Sequence, residues 1–265
     1  MESARFENAN KLWLDGHKKE EAAREFHAMA EEEADYPDGK AALPMNELNC
    51  YLQISELDKA NEIMRQIRAL PVRDEFVRLI EDFGDACMTT QMGKLEEEVL
   101  KFERIVEANQ EELQTSDLRY LYEQIQQRPG FALTSMGRFS EALPILKEAV
   151  SFTIDSDPQL VHFYSGICYQ ALSGTAPAKE AFLRAISLGL DNQFEADARY
   201  RLAILYFMSR AFAQAKHHLE AALQLPSEAI NAQLRKAIYQ QMSQVCHYLQ
   251  EFDEEKRYSR LAQAL

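Results

Sequence analysis

Apolar and polar residues follow one another along this chain with a helical period. In MGRFSEALPILKEAV (136–150), Ala142, Leu146 and Ala149 stand at i, i+4 and i+7. That spacing puts all three on one face of a helix. Gly137 precedes the run as a turn residue. The arrangement recurs upstream in GHKKEEAAREFHAMA (16–30), ISELDKANEIMRQI (54–67) and MGKLEEEVLKFERIV (92–106). It recurs downstream in LSGTAPAKEAFLRAI (172–186), MSRAFAQAKHHLEAAL (208–223) and LQEFDEEKRYSRLAQAL (249–265).

The small position of the pattern is filled by Ala22, Ala60, Ala142, Ala178 and Ala215, and by Glu98 and Glu255 in the third and last copies. The large position one turn later holds Phe26, Met64, Leu146, Phe182 and Leu219. Neighbouring copies lie 36 to 44 residues apart, and repetition at such a period predicts a solenoid. An alanine on the buried face lets a neighbouring helix come close, and the large residue beyond it fills the remaining space. Each run therefore reads as the second helix of a helix–turn–helix unit. First helices precede them: LVHFYSGICYQAL (160–172) carries Val161, Tyr164, Ile167, Cys168 and Ala171 at helical spacing, and ARYRLAILYFM (198–208) and ALPMNELNCYLQI (42–54) behave alike. No run alternates long enough to predict a strand.

Gly166 with Tyr169 in a first helix, followed by Gly137-type turns and the Ala142, Leu146, Ala149 series, resembles the tetratricopeptide repeat. Pro37, Pro71, Pro158 and Pro226 fall near the repeat closures. The resemblance spans 1–265 as about seven copies, closest in the fourth to sixth and degenerate in the third and seventh. It implies an all-α fold, an α-solenoid of about seven TPR-like repeats and about fourteen helices forming a superhelix, in a single repeat domain. An irregularity is expected over 116–137, where Pro129 and Gly130 fall inside a first helix. Proline removes a backbone donor, so the chain is expected to kink there, or Leu118–Gln127 to form a helix of its own. A hinge in the superhelix is the functional alternative.

Composition supports helix: 9 Gly and 8 Pro in 265 residues leave few turn formers. A formal net charge of -14 argues against nucleic acid, whose binders need basic surface, and against an anionic membrane surface. The excess carboxylates read as a solvated exterior, with attraction to a basic partner as the sharper alternative. The N-terminus has no signal-like apolar region and no stretch approaches a membrane span, so a cytoplasmic location is expected. Cys50, Cys87, Cys168 and Cys246 are far apart, as core thiols would be, and suggest neither disulfides nor a zinc ribbon.

No catalytic signature appears: there is no phosphate loop, no HExxH and no GxSxG. His217 and His218 are helix neighbours pointing about 100° apart, so they do not share a metal. The expectation is no enzyme, no cofactor and no metal. A protein or peptide partner is implied by the resemblance, in which first helices line a concave groove. The fifth repeat then offers Phe163, Ile167 and Gln170, and the sixth Tyr200, Ile204 and Phe207. The fourth offers Gln124, Gln127 and Phe131, the second Asn49 and Gln53, and the seventh Gln240, Gln244, His247 and Tyr248. Some of these aromatics have an alternative place, packed between repeats. A subset of the family clamps acidic C-terminal peptides with cationic and amide groups. Asn49 and Lys11 sit in clamp-like places, but Met45, Phe83, Cys87 and Ile167 stand where further polar groups are needed. The reading is a non-enzymatic peptide-binding scaffold. A peptide-sensing receptor that changes superhelical shape is the alternative, and an enzyme accessory domain or phosphatase a third.

Overall fold

The structure, a computed structural model, describes residues 2–14, 18–32, 39–53, 56–70, 75–109, 119–151 and 158–265. Among them are fourteen α-helices, one 3-10 turn and no strand. No described helix is long and apolar enough to cross a membrane. Helices α1 (Glu2–Leu14), α2 (Lys19–Glu32), α3 (Gly39–Gln53), α4 (Leu57–Arg68), α5 (Glu75–Gln91), α6 (Leu95–Ala108) and α7 (Arg119–Ser135) belong to a first compact unit. A second unit holds α8 (Phe139–Ala149), α9 (Pro158–Ala171), α10 (Thr175–Ser187), α11 (Asn192–Met208) and α12 (Phe212–Leu223). The turn Ser227–Ala229, α13 (Ala232–Tyr248) and α14 (Phe252–Gln263) complete it. In each unit a helix packs on the next in sequence, and first helices also meet across repeats, α3 on α5 and α11 on α13. This is an all-α solenoid of helix–turn–helix repeats.

The turns share one backbone device. Gly93, Gly137, Ser173, Arg210 and Gln250 all have φ between 58° and 77°. The N–H of each donates to the carbonyl three residues back, and the next N–H donates to the carbonyl five back, as in Arg210 to Phe207 and Ala211 to Tyr206. This paired closure satisfies carbonyls that the helix end leaves unpaired. It needs a left-handed residue, which glycine adopts without strain.

The repeat register agrees with the burial. Ala22, Ala60, Ala142, Ala178 and Ala215 are fully buried, as are the large residues Phe182, Leu146 and Leu219 one turn on. The third position is buried in every copy, from Met29, Ile67 and Ile105 to Ala149, Ala185, Ala222 and Ala262. A Cβ on Gly166 would lie 2.7 Å from the Phe182 ring, so α9 and α10 meet at a contact that only glycine permits. In the third copy Glu98 is buried in the alanine place. Burial pushes its carboxyl up, a hydrogen bond with Thr90 and the nearby Arg128 oppose this, and its Oε2 has no hydrogen-bond partner.

Helix α7 runs from Arg119 to Ser135 with Pro129 inside it, so the chain does not break at Pro129–Gly130. Proline's fixed φ suits a helix, and the cost is one missing bond and local crowding. Ile125, Ala132 and Leu133 around it are buried, and α7 packs on α6, so tertiary packing outweighs the local penalty. Gly130 stands twelve residues before Ala142, the interval that separates Gly166 from Ala178 and Ala203 from Ala215. It is the repeat's small first-helix position, and it is buried. Leu118, where the separate helix was expected to begin, lies outside the described residues.

Two predictions follow from this geometry. Arg210→Gly and Gln250→Gly should each stabilise the protein by about 0.5–1 kcal/mol, because left-handed strain exceeds the extra chain entropy of glycine. Urea midpoints at unchanged slope measure this, and a lower midpoint contradicts the turn geometry. Ala178→Leu and Gly166→Ala should each cost about 1–3 kcal/mol by overpacking. Parental melting temperatures in both would show that α9 and α10 do not meet there.

Candidate functional site

First helices α9, α11 and α13 of the second unit, with the Ser227–Ala229 turn, line an open cavity of about 490 Å³. Such a volume lies within the roughly 300–1,000 Å³ typical of ligand clefts. Helix α9 contributes Phe163, Tyr164 and Ile167, and the first turns of α11 contribute Gln193, Phe194 and Asp197. The Ser227–Ala229 turn brings Glu228 and Ala229, and the start of α13 brings Asn231 and Leu234. Asn231 is held in place because its side chain caps α13, accepting from Leu234 N–H at 2.8 Å. Phe163, Tyr164 and Phe194 meet edge to face or tilted, with centroids 5.3–6.4 Å apart, an arrangement aromatic quadrupoles favour.

The sequence-derived site residues divide into several places. Phe163 is 3% exposed and touches the Phe182 ring, so it forms core and cavity floor together. Ile167 is half-buried and lines the cavity. Gln170 is tied to α11, its Oε1 accepting from Arg201 Nη1 at 3.2 Å, while Arg201 Nε donates to Asp197 at 2.8 Å. Tyr200 and Ile204 are half-buried and follow Asp197 on the same side of α11 at helical spacing. Burial pushes the Tyr200 phenol up. Phe207 continues that stripe into a separate aromatic cluster with Phe212 and Tyr248, whose rings stack at 4.7 Å. Tyr248 and His247 are exposed there.

Gln127 and Phe131 belong to the first unit. Gln127 is buried with its Oε1 unpartnered, and Phe131 is half-buried. Asn49 is also buried with an unpartnered oxygen, and Met45, Phe83 and Cys87 are interior, so a charged clamp has no surface there. The side chains of Gln53 and Gln124 lie outside the described residues. What the sequence reading missed is the earlier turn of α11, Gln193, Phe194 and Asp197, and the Asn231 cap. Extending the Tyr200–Ile204 stripe back one turn reaches Asp197, and an asparagine opening AQLRKAI (232–238) is a helix-start signal.

Chemically the cavity offers aromatic faces, amides and carboxylates. Burial pushes the Cys50 thiol up to about 12 and the Cys87 and Cys246 thiols up to about 11, which disfavours their thiolates. Among the described residues no group of three or more His, Cys, Asp or Glu is arranged to hold a metal ion. A smaller cavity of about 340 Å³ in the first unit joins His27, Glu31 and Glu47. There His27 Nδ1 lies 3.1 Å from Glu47 Oε2, and burial pushes the Glu47 carboxyl up against the pull of His27.

No protein-family model matches the chain, and no curated protein matches it by sequence. Solved structures do match in shape. A structure of PilF from Pseudomonas aeruginosa aligns with a TM-score of 0.64 at 16% identity, over 86% of this chain and 93% of that one. The apo form of RapI aligns at 0.66 and 12% identity, over 98% and 75%. The C-terminal part of a TPR repeat-containing protein from Cytophaga hutchinsonii aligns at 0.52 and 12%, over 98% and 95%. The chain has the tetratricopeptide-repeat fold.

Protonation of one core histidine should set the acid limit of the second unit. His218 is buried against Tyr206, rings stacked at 5.3 Å and 8°. Burial, with His217 and Arg199 adding to it, pulls it down to about 4. The native state therefore rejects a proton that the unfolded chain takes up below about 6.5. The stability is present above that pH and is lost as pH falls toward about 4, by on the order of 1 kcal/mol per pH unit. His218→Phe should flatten the fall in melting temperature between pH 7 and 5, and an equally steep fall in the variant would contradict it.

Proposed function

We propose that this protein is a non-enzymatic adaptor that receives an extended segment of a partner protein along α9, α11 and α13. The observation that supports this most is the cavity spanning three successive first helices, floored by aromatics and flanked by amides. An extended segment needs partners for its backbone, and the free NH₂ of Gln170 with the amides of Gln193 and Asn231 supply donors and acceptors. Apolar side chains of the segment gain by covering Ile167, Leu234 and the Phe194 ring. Ile204 and Phe207 carry the same surface further along α11. A preformed groove of this kind loses little free energy to ordering on its own side. The raised thiol pKa values support a binding role over nucleophilic chemistry.

The test starts from affinity capture in the native source and continues with the purified partner. Ile167→Ala and Ile204→Ala are the informative variants, since Phe163 is part of the core and its truncation reports on stability. Covering an aliphatic anchor is worth roughly 1.5–3 kcal/mol before ordering costs. Each variant, melting as the parent does, should weaken the partner about tenfold in calorimetric titration. Parental affinity in both would reject the groove and turn attention to the acidic exterior of the first unit.

A further inference from the structure

The cavity's chemistry selects among segments. We propose that it takes up a basic side chain, lysine or arginine, from the bound segment; this rests on the adaptor reading above. No Lys or Arg lines the cavity. Two carboxylates do, Asp197 from α11 and Glu228 from the 3-10 turn, together with the rings of Tyr164 and Phe194. Ring faces are electronegative and attract a cation placed over them. The rings lie at 59° to one another with centroids 6.4 Å apart, forming a corner that bounds a side chain on two sides. Gln193 adds an amide to the lining.

The cations in the vicinity are already engaged. Arg201 holds Asp197 and Gln170, Arg199 bonds Glu195 at 2.6 Å, and Arg235 donates to the carbonyl of Ser227 at 3.1 Å. Arg201 binds Asp197 through Oδ2, so a carboxylate oxygen remains for an incoming donor. Glu228 is exposed, with Ser227 Oγ at 3.2 Å. An incoming carboxylate would meet Glu228 and the Arg201-paired Asp197 with no lining cation to receive it, an arrangement that disfavours it. The selectivity is local. The second unit as a whole carries 13 Asp and Glu against 12 Lys and Arg, so its net field is weak and the preference comes from the lining.

The probes are three blocked amino acids: N-acetyl-arginine N-methylamide, its neutral citrulline isostere, and N-acetyl-glutamate N-methylamide. The full chain carries isotope-labelled isoleucine and leucine methyls, and the Ile167 and Leu234 signals report on the cavity. The arginine probe should shift both signals saturably and at least about tenfold tighter than citrulline, with glutamate weaker still. Asp197→Asn combined with Glu228→Gln should abolish the advantage of arginine over citrulline while methyl dispersion stays that of the folded parent. Equal binding of arginine and citrulline, an advantage that survives the double substitution, or no response to arginine overturns the proposal. Failure of the adaptor reading looks different. In that case the captured partner ignores Ile167→Ala, whichever blocked amino acid the cavity takes.

Discussion

The structure depends on how closely a first helix can approach the second helix of its own repeat. In the best-formed hairpin the limit is set by Gly166 against the ring of Phe182, with Ala178 one turn before that ring. A single Cβ at Gly166 would press into the ring, so the distance between α9 and α10 is fixed by the absence of one carbon. Once that face is committed to pairing, a first helix keeps another for its neighbours, and α11 meets both α12 and α13. The residual face bounds the cavity. Phe163 shows how tightly the two roles are joined, since one ring packs on Phe182 and Phe194 and also floors the site.

The two units protect their cores with different chemistry. The second is almost entirely apolar inside, with Ser165 and His218 as its buried polar side chains. The first buries Lys19, Glu47, Asn49, Glu98, Glu123 and Gln127. Burial raises Glu47 and Glu98. Their folded pKa values exceed the unfolded ones, so their favourable contribution is complete in acid and is lost as pH rises through the raised values. His218 acts in the opposite sense in the second unit. The exteriors differ too, because 13 of the 14 net negative charges belong to the first unit. A surface charge of that size favours hydration and contributes a negative field around the first unit.

Much of the fold was legible because the repeat writes it in three positions. Ala, then a large residue at i+4, then a small or apolar one at i+7 placed every second helix, and the turn glycines placed the hairpins. Pro129 and Gly130 fall inside the first helix that the register predicts, and α7 runs through them without a break. Counting twelve back from Ala142 lands on Gly130 and shows that a helix is required there. The site was legible in part. Of the groove positions that the resemblance implied on α9 and α11, Phe163 and Ile167 line the cavity and Gln170, Tyr200, Ile204 and Phe207 do not, and the pattern could not tell Phe163 from a surface aromatic because it also packs in the core. Glu228 and Asn231 come from a connector, whose path no helical period encodes.

The same economy explains why shape finds relatives where sequence does not. Each turn is closed by backbone groups alone, and its left-handed residue is variously Gly, Ser, Arg or Gln. Each pairing fixes a few positions and asks of them only size. Even the alanine place tolerates a buried glutamate, Glu98, at a cost that a cooperative fold can carry. The repeat intervals vary from 36 to 44 residues. Two chains can therefore build this fold while agreeing at few positions, and those they share say nothing of what is bound. Side chains outside those positions are left to vary, and in this chain Tyr164, Phe194, Asp197 and Glu228 are among those that line the cavity.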